Sequence, residues 1–175
     1  MGWDTRGLRG SSFEEMINMT NERYRQKKLA VVQKIPTPIT PVEVDNIART
    51  ITLAYFGQKS TVDYIGAAQG YPVCFDAKET AAKSLPITNI HEHQIIFMED
   101  FCKQGGIAFL LVLFSYCNEC YFLSFPKLKK HWETARGGGR KSIAYESFEK
   151  KYLLTSKSGF LIHYLEGINT FLETI

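Results

Sequence analysis

The sequence predicts an α/β domain in which helices flank a central mixed β-sheet. Three observations carry this expectation. Short β-rich runs alternate with segments of helical period along most of the chain. The run Ile107–Phe114 (IAFLLVLF) is apolar at every position, as in a strand covered on both faces. Residues 61–79 form two strand-like runs separated by Gln69-Gly70, a hairpin signal. With 175 residues, 45% hydrophobic and 22% charged, the chain can form one domain with a substantial core.

In chain order, Ser11 and Ser12 each stand three residues before a glutamate, Glu14 and Glu15, the spacing of a capping box. Phe13, Met16, Ile17, Thr20 and Tyr24 follow at helical spacing and place a helix to about Lys27. LAVVQ (29–33) reads as a strand. IPTPITPVEV then carries Pro36, Pro38 and Pro41, which exclude a central strand or helix interior. This segment and NIARTITLAYFGQ form an excursion of roughly 25 residues, too long for a structureless connection, so it should have structure or a function of its own. STVDYIGAAQG and YPVCFDAKE are the hairpin strands. Ile90–Lys103 is an amphipathic helix stopped by Gly105 and Gly106. IAFLLVLF pairs with ECYFLSF across SYCN, FPKLKKHWETA opens a basic helix, RGGGRKS is a flexible loop, and a last helix covers Phe160–Leu172.

A hairpin turn centred on Gln69-Gly70 sets Asp63 across from Asp76, Thr61 across from Lys78 and Ile65 across from Cys74. Strand alternation then gathers Thr61, Asp63, Asp76 and Lys78 on one face, with Val62, Tyr64, Val73, Phe75 and Ala77 on the other, core-facing side. Two carboxylates about 5 Å apart repel by about 3 kcal/mol at an effective dielectric of about 20, which calls for a cation or a raised pKa. Two readings meet that demand. One is an Asp–Lys salt bridge; the other is a divalent-cation site, whose hard oxygen ligands suit Mg²⁺ or Mn²⁺ rather than Zn²⁺. Carboxylates, a hard cation and an ammonium together form equipment for phosphodiester hydrolysis.

Asp63 followed by Asp76-Ala77-Lys78 resembles the PD-(D/E)XK nuclease signature. More specifically, the chain resembles the RecU-type Holliday junction resolvases, through RGLRGSSFEEMIN, KIPTP, STVDYIG, FDAKET, NIHEHQIIFM and GGGRKSI, in that order along nearly the whole chain. The resemblance implies a restriction-endonuclease-like core as one nuclease domain over 1–175, with a protruding stalk at about 35–59. It assigns Thr61, Asp63, Asp76 and Gln94 to a Mg²⁺ site in which Mn²⁺ can substitute. Lys78 becomes the group that orients the attacking water or offsets transition-state charge, and Glu14 the helical acidic residue, so that Asp63, Asp76, Lys78 and Glu14 form the catalytic set. It further implies a homodimer that places symmetric paired nicks in branched DNA, leaves 5′-phosphate ends, and works among recombination proteins. The chain departs from the family in carrying Asp76 where relatives more often have glutamate. It also starts almost at TRGLRG, without a longer N-terminal extension. Two other functions remain open: a nuclease of this fold acting on other DNA, and a junction-binding architectural protein that does not cut.

Charge and aromatic patterning add a set of DNA contacts. Arg23, Arg25, Lys27, Lys28 and Lys34 form a basic segment with no acid between them, and a second runs from Lys127 to Lys141 with Glu133 alone opposing it. These are either solvated surface or a polyanion-binding face. The expected DNA-contacting residues are Arg6, Arg9, Lys59, Arg140, Lys141, Tyr55 and Phe56. Tyr55 and Phe56 either stack on splayed bases or anchor the excursion to the core.

Other signals are set aside. Cys117-Asn118-Glu119-Cys120 has no second ligand pair for zinc and falls in a hairpin turn rather than at a helix start. His91 and His93 read as structural, and the Gly137–Gly139 run lacks phosphate-loop spacing. No apolar run approaches the roughly 20 residues of a membrane span. The opening residues show no signal peptide and lack the myristoylation pattern, and four cysteines give no disulfide framework, so a cytoplasmic location is expected.

Overall fold

A computed structural model describes residues 12–57 and 61–174 of the chain. Helix α1 (Phe13–Gln26) starts where Ser12 and Glu15 cap each other: the Glu15 carboxylate accepts the Ser12 amide at 2.7 Å and the Ser12 hydroxyl accepts the Glu15 amide. Lys28, in the left-handed region at φ 56°, turns the chain into strand β1 (Ala30–Lys34). The proline-rich excursion is a separate hairpin of β2 (Ile39–Asp45) and β3 (Thr50–Phe56). Its length calls for a function or structure of its own, and structure is present. Pro41 is accommodated because the register shifts between Pro41 and Val44 and because neither strand joins the main sheet. The Asp45 carboxylate accepts the amides of Ile47 and Ala48 at 2.9 Å and fixes the tip, where Ile47 is 98% exposed. At the base, the Gly57 amide donates to the Pro38 carbonyl at 2.7 Å.

The main sheet has six strands in the order β1, β4 (Tyr64–Ala68), β5 (Tyr71–Thr80), β7 (Ile107–Phe114), β8 (Glu119–Ser124) and β10 (Leu153–Leu154). All neighbours are antiparallel except β5 and β7, so the sheet is mixed as expected. Gln69 and Gly70 both take positive φ, 51° and 91°, the two-residue turn that matches strand twist. The resulting register pairs Tyr64 with Phe75 and Ile65 with Cys74, as the sequence predicts. Strand β7 is buried at every residue, because α1 and the terminal helix α4 (Tyr164–Leu172) cover one face while α2 (Glu92–Lys103) and α3 (Phe125–Arg136) cover the other. Tyr64, Phe75, Phe109 and Phe122 stack in succession across β4, β5, β7 and β8, at centroid distances of 4.7, 4.8 and 4.5 Å. Each fully buried ring contributes about 1.5–3 kcal/mol, and together they lock the strand register.

Three further findings correct the expected layout. Val62 belongs with Cys74 and Leu110 on the α2 side, not with Tyr64 and Phe75, because the ladder begins only at Tyr64 and strand alternation does not extend back to 62. A second small sheet pairs β6 (Ser84–Pro86) with β9 (Ser142–Ala144), so part of the RGGGRKS segment is strand. The last helix starts at Tyr164, since Gly159 turns at φ 82° and Phe160 packs on Tyr24 at 4.7 Å. That helix is clasped to α1 by the Tyr164 hydroxyl on Asn21, the Tyr24 hydroxyl against His163 Nδ1 and the Ile162 amide on Thr20. Among the described residues, no helix is long and apolar enough to cross a membrane.

Candidate functional site: two strand carboxylates and a lysine

The site is built where the β4–β5 ladder opens. Asp63 lies one residue before the first ladder pair, so its main chain has left its β5 partner. Its amide instead donates to Asp76 Oδ1 at 2.7 Å, while its carbonyl accepts the Ile35 amide at 2.7 Å. Asp76, in mid-strand on β5 and beside Leu110 of the parallel neighbour, is wholly inaccessible to water. Two residues on, and therefore on the same face, Lys78 brings its ammonium to 3.1 Å from Asp76 Oδ2. The structure thus brings Asp63, Asp76 and Lys78 together.

The electrostatics are those of a crowded acid pair. Burial first, and the Asp76 charge second, push the Asp63 carboxyl above its ordinary pKa; Lys78 and the Ala77 amide pull the other way. Asp76 Oδ2 is within ion-pair distance of Lys78, yet it is a buried oxygen without an aligned hydrogen-bond donor. A buried lone pair beside a second carboxylate is the kind of position a hard cation fills. Among the described residues no three Asp, Glu, His or Cys side chains converge on one point. A Mg²⁺ ion does not require three, because it commonly keeps several waters and takes one or two carboxylates plus substrate oxygens. The donor set therefore fits such an ion, which Asp63 and Asp76 could hold as charged ligands.

The other expected site residues are placed as follows. Thr61 is half-buried, just upstream of Asp63, with its hydroxyl 3.3 Å from the Val62 carbonyl. Gln94 is buried, but its side-chain oxygen accepts the His91 amide at 3.0 Å and so caps its own helix. Glu14 lies in the first turn of α1, exposed and ion-paired to Lys34 at 2.5 Å. Glu15 is committed to the cap, which separates the two adjacent glutamates into distinct roles. Lys34 was missed as a neighbour of the site. The signal was present, since it stands directly before the proline-rich excursion, but only the fold shows that the last residue of β1 faces the start of α1.

Tyr55 and Phe56 are 67% and 86% exposed, so they do not anchor the hairpin to the core. Arg140 and Lys141 are exposed beside β9, with Arg140 Nε 3.4 Å from the Ser142 hydroxyl. Arg6, Arg9 and Lys59 lie outside the described residues. The basic segment after α1 is partly committed: Lys27 sits 5.0 Å over the Phe160 ring, and Lys34 holds Glu14. A groove of about 430 Å³ between α2 and α3 lies apart from the carboxylates and is spanned by the Arg136–Glu92 and Lys129–Glu99 pairs.

Comparison with known proteins gives one consistent result. The family described as Recombination protein U matches residues 8–170. A Leuconostoc mesenteroides protein named Holliday junction resolvase RecU is 41% identical over 174 residues, covering 97% of this chain and 84% of its own length. Proteins with the same name from a Geobacillus species and from Lactococcus lactis are 45% and 44% identical, covering 82% and 95% of this chain and 74% and 80% of their own lengths.

Proposed function

Because the chain belongs to the Recombination protein U family, we propose that it is a Mg²⁺-dependent endonuclease that resolves four-way DNA junctions by paired symmetric nicks during recombination and repair. The observation that carries this reading is the Asp63–Asp76–Lys78 cluster, in which two carboxylates and one ammonium interact at the open end of a strand pair. Asp63 and Asp76 would hold the cation, and Thr61 and the capping oxygen of Gln94, through its second lone pair, would add neutral oxygen donors. When bound, Mg²⁺ or Mn²⁺ supplies positive charge at the scissile phosphate and makes water a stronger nucleophile near neutral pH.

The protein's own groups do the rest. The Asp63 amide fixes the Asp76 carboxylate through Oδ1 and leaves Oδ2 directed at the cluster. Lys78 neutralises Asp76 in the free protein. The Lys78 ammonium would orient the attacking water and offset charge developing on the phosphate oxygens. In-line attack with departure of the 3′-oxygen leaves 5′-phosphate ends. The exposed β2–β3 hairpin serves as the stalk that meets the branched substrate, with Tyr55 and Phe56 as stacking surfaces and Arg140 and Lys141 on flanking phosphates. The enzyme acts in the cytoplasm as a homodimer, since a substrate of two-fold symmetry requires two equivalent sites.

A synthetic four-way junction and a linear duplex of matching sequence test this, each incubated with Mg²⁺ and with EDTA. Paired nicks in the junction alone, abolished by EDTA and by Asp76→Asn, are the expected result. Junction binding without cleavage in either Mg²⁺ or Mn²⁺ would replace the reading with an architectural role. Equal cutting of the duplex would replace it with a nuclease of broader substrate range.

A further inference from the structure

We propose that Asn18 and Tyr64 are positioning residues: their hydrogen bond sets helix α1, and with it Glu14, at a fixed height against the strands that carry Asp63 and Asp76. The inference rests on the function proposed above and on the family resemblance, which puts Glu14 in the catalytic set with the strand carboxylates, where its charge would also act on the cation they hold.

Covalent connection already gives Tyr64 an unusual position. It directly follows Asp63, and its cross-strand partner Phe75 directly precedes Asp76. The two rings stack at 4.7 Å with planes 10° apart, and Tyr64 is fully buried. Nothing about this ring can shift without moving both carboxylate-bearing strands. From that fixed base the phenol reaches out of the core and donates to Asn18 Oδ1 at 3.2 Å. Asn18 is exposed on α1, four residues and so about one turn beyond Glu14.

The other contacts that hold α1 do not fix this distance. Phe13 and Ile17 pack through apolar surface, which is non-directional and tolerates sliding. Thr20, Asn21 and Tyr24 are bonded to residues 162–165 at the far end of the helix, not to β4 or β5. Glu14 itself reaches Lys34, but both side chains are about half exposed, and such pairs restrain weakly. Among the described residues, the Asn18–Tyr64 bond is the directional tie between this end of α1 and the acid-bearing hairpin. A carboxylate displaced by about 1 Å can cost about 100-fold in rate, so a single bond of this kind has kinetic weight.

The test uses Tyr64→Phe, which removes one oxygen and keeps the aromatic stack, together with Asn18→Ala, Glu14→Ala and the Glu14→Ala/Tyr64→Phe double variant. Cleavage of the four-way junction is measured as kcat and KM, and Mn²⁺ affinity is measured separately on DNA-free protein by electron paramagnetic resonance. Expected results are a kcat loss of about 10- to 100-fold in Tyr64→Phe and Asn18→Ala with KM within about 2-fold. Mn²⁺ binding should weaken in parallel, and the double variant should be no worse than Glu14→Ala alone. Asn18→Ala, at an exposed position, carries the test if Tyr64→Phe fails to fold. The proposal is overturned if both single variants keep kcat and Mn²⁺ affinity within about 2-fold, if Glu14→Ala is as active as wild type, or if the two losses multiply. A wild-type protein that does not cut junctions refutes the functional reading instead, and the Mn²⁺ measurements still decide whether the tie exists.

Discussion

Replacing Lys78 with methionine removes the ammonium 3.1 Å from Asp76 Oδ2 while the carboxylate stays out of reach of water. At that separation the attraction is about 5 kcal/mol for an effective dielectric of about 20. The Lys78 side chain is 14% exposed, so water entering along its path recovers part of this. The metal-free protein should therefore lose about 3 kcal/mol, near the lower end for breaking a buried pair by deleting one partner. For a chain of this size that lowers the unfolding midpoint by roughly 6–12 °C. Asp76→Asn/Lys78→Met leaves no unpaired buried charge and should lie within about 1 kcal/mol of wild type. Asp76→Asn alone should cost less than Lys78→Met, since it also relieves repulsion of Asp63. Thermal and urea denaturation in EDTA at neutral pH measure all four proteins. A Lys78→Met midpoint within about 1 °C of wild type would refute the reasoning, as would a double variant no more stable than Lys78→Met.

The raised pKa of Asp63 has a sign that can be checked in the same metal-free protein. The native state holds a proton that the unfolded chain has already released, so this contribution is full at low pH and is lost as pH rises through the raised native value. Asp63→Asn should therefore gain stability relative to wild type as pH rises from about 4, the ordinary aspartate range, through the raised native value; parallel urea-denaturation curves would contradict the assignment. Gly66→Ala places a Cβ 2.1 Å from the Val31 carbonyl oxygen and 2.6 Å from Val32 Cα, which forces β1 off the sheet. A loss of about 3 kcal/mol in urea denaturation is expected, and a loss below about 1 kcal/mol would show that β1 yields freely. Tyr55→Ala/Phe56→Ala should change stability by no more than about 0.5 kcal/mol, given how exposed both rings are, while weakening junction binding in gel-shift titrations. Unchanged junction affinity would remove the pair from the DNA surface.

The parts of this fold legible in the sequence are those dictated by short-range chemistry. The two-residue turn at Gln69-Gly70 fixes the β4–β5 register, and alternation along β5 then sets Asp76 and Lys78 on one face. The apolar run of β7 announces burial on both sides, and Ser12 with Glu15 marks the start of α1. What was not legible depends on contacts between distant segments. Strands β6 and β9 have three residues each, too few to show a period, and lie 60 residues apart in sequence at the Ser84–Ala144 pair. Val62 was placed on the wrong face because nothing in a sequence says where alternation stops when a strand frays into a bend. Gln94 has the side chain of a ligand and the position of a capping residue, and only the coordinates show its oxygen on the His91 amide. The Glu14–Lys34 pair needed the third dimension altogether.

The β2–β3 hairpin enters and leaves the core through adjacent residues, with the Gly57 amide bonded to the Pro38 carbonyl and neither strand joined to the main sheet. Such an attachment makes the segment a cassette. Evolution can lengthen, shorten or recompose residues 39–56 without renegotiating the packing that holds Asp63 and Asp76 in register. The same independence suits protein engineering: a hairpin grafted between Pro38 and Gly57 would leave the main sheet and its carboxylates undisturbed.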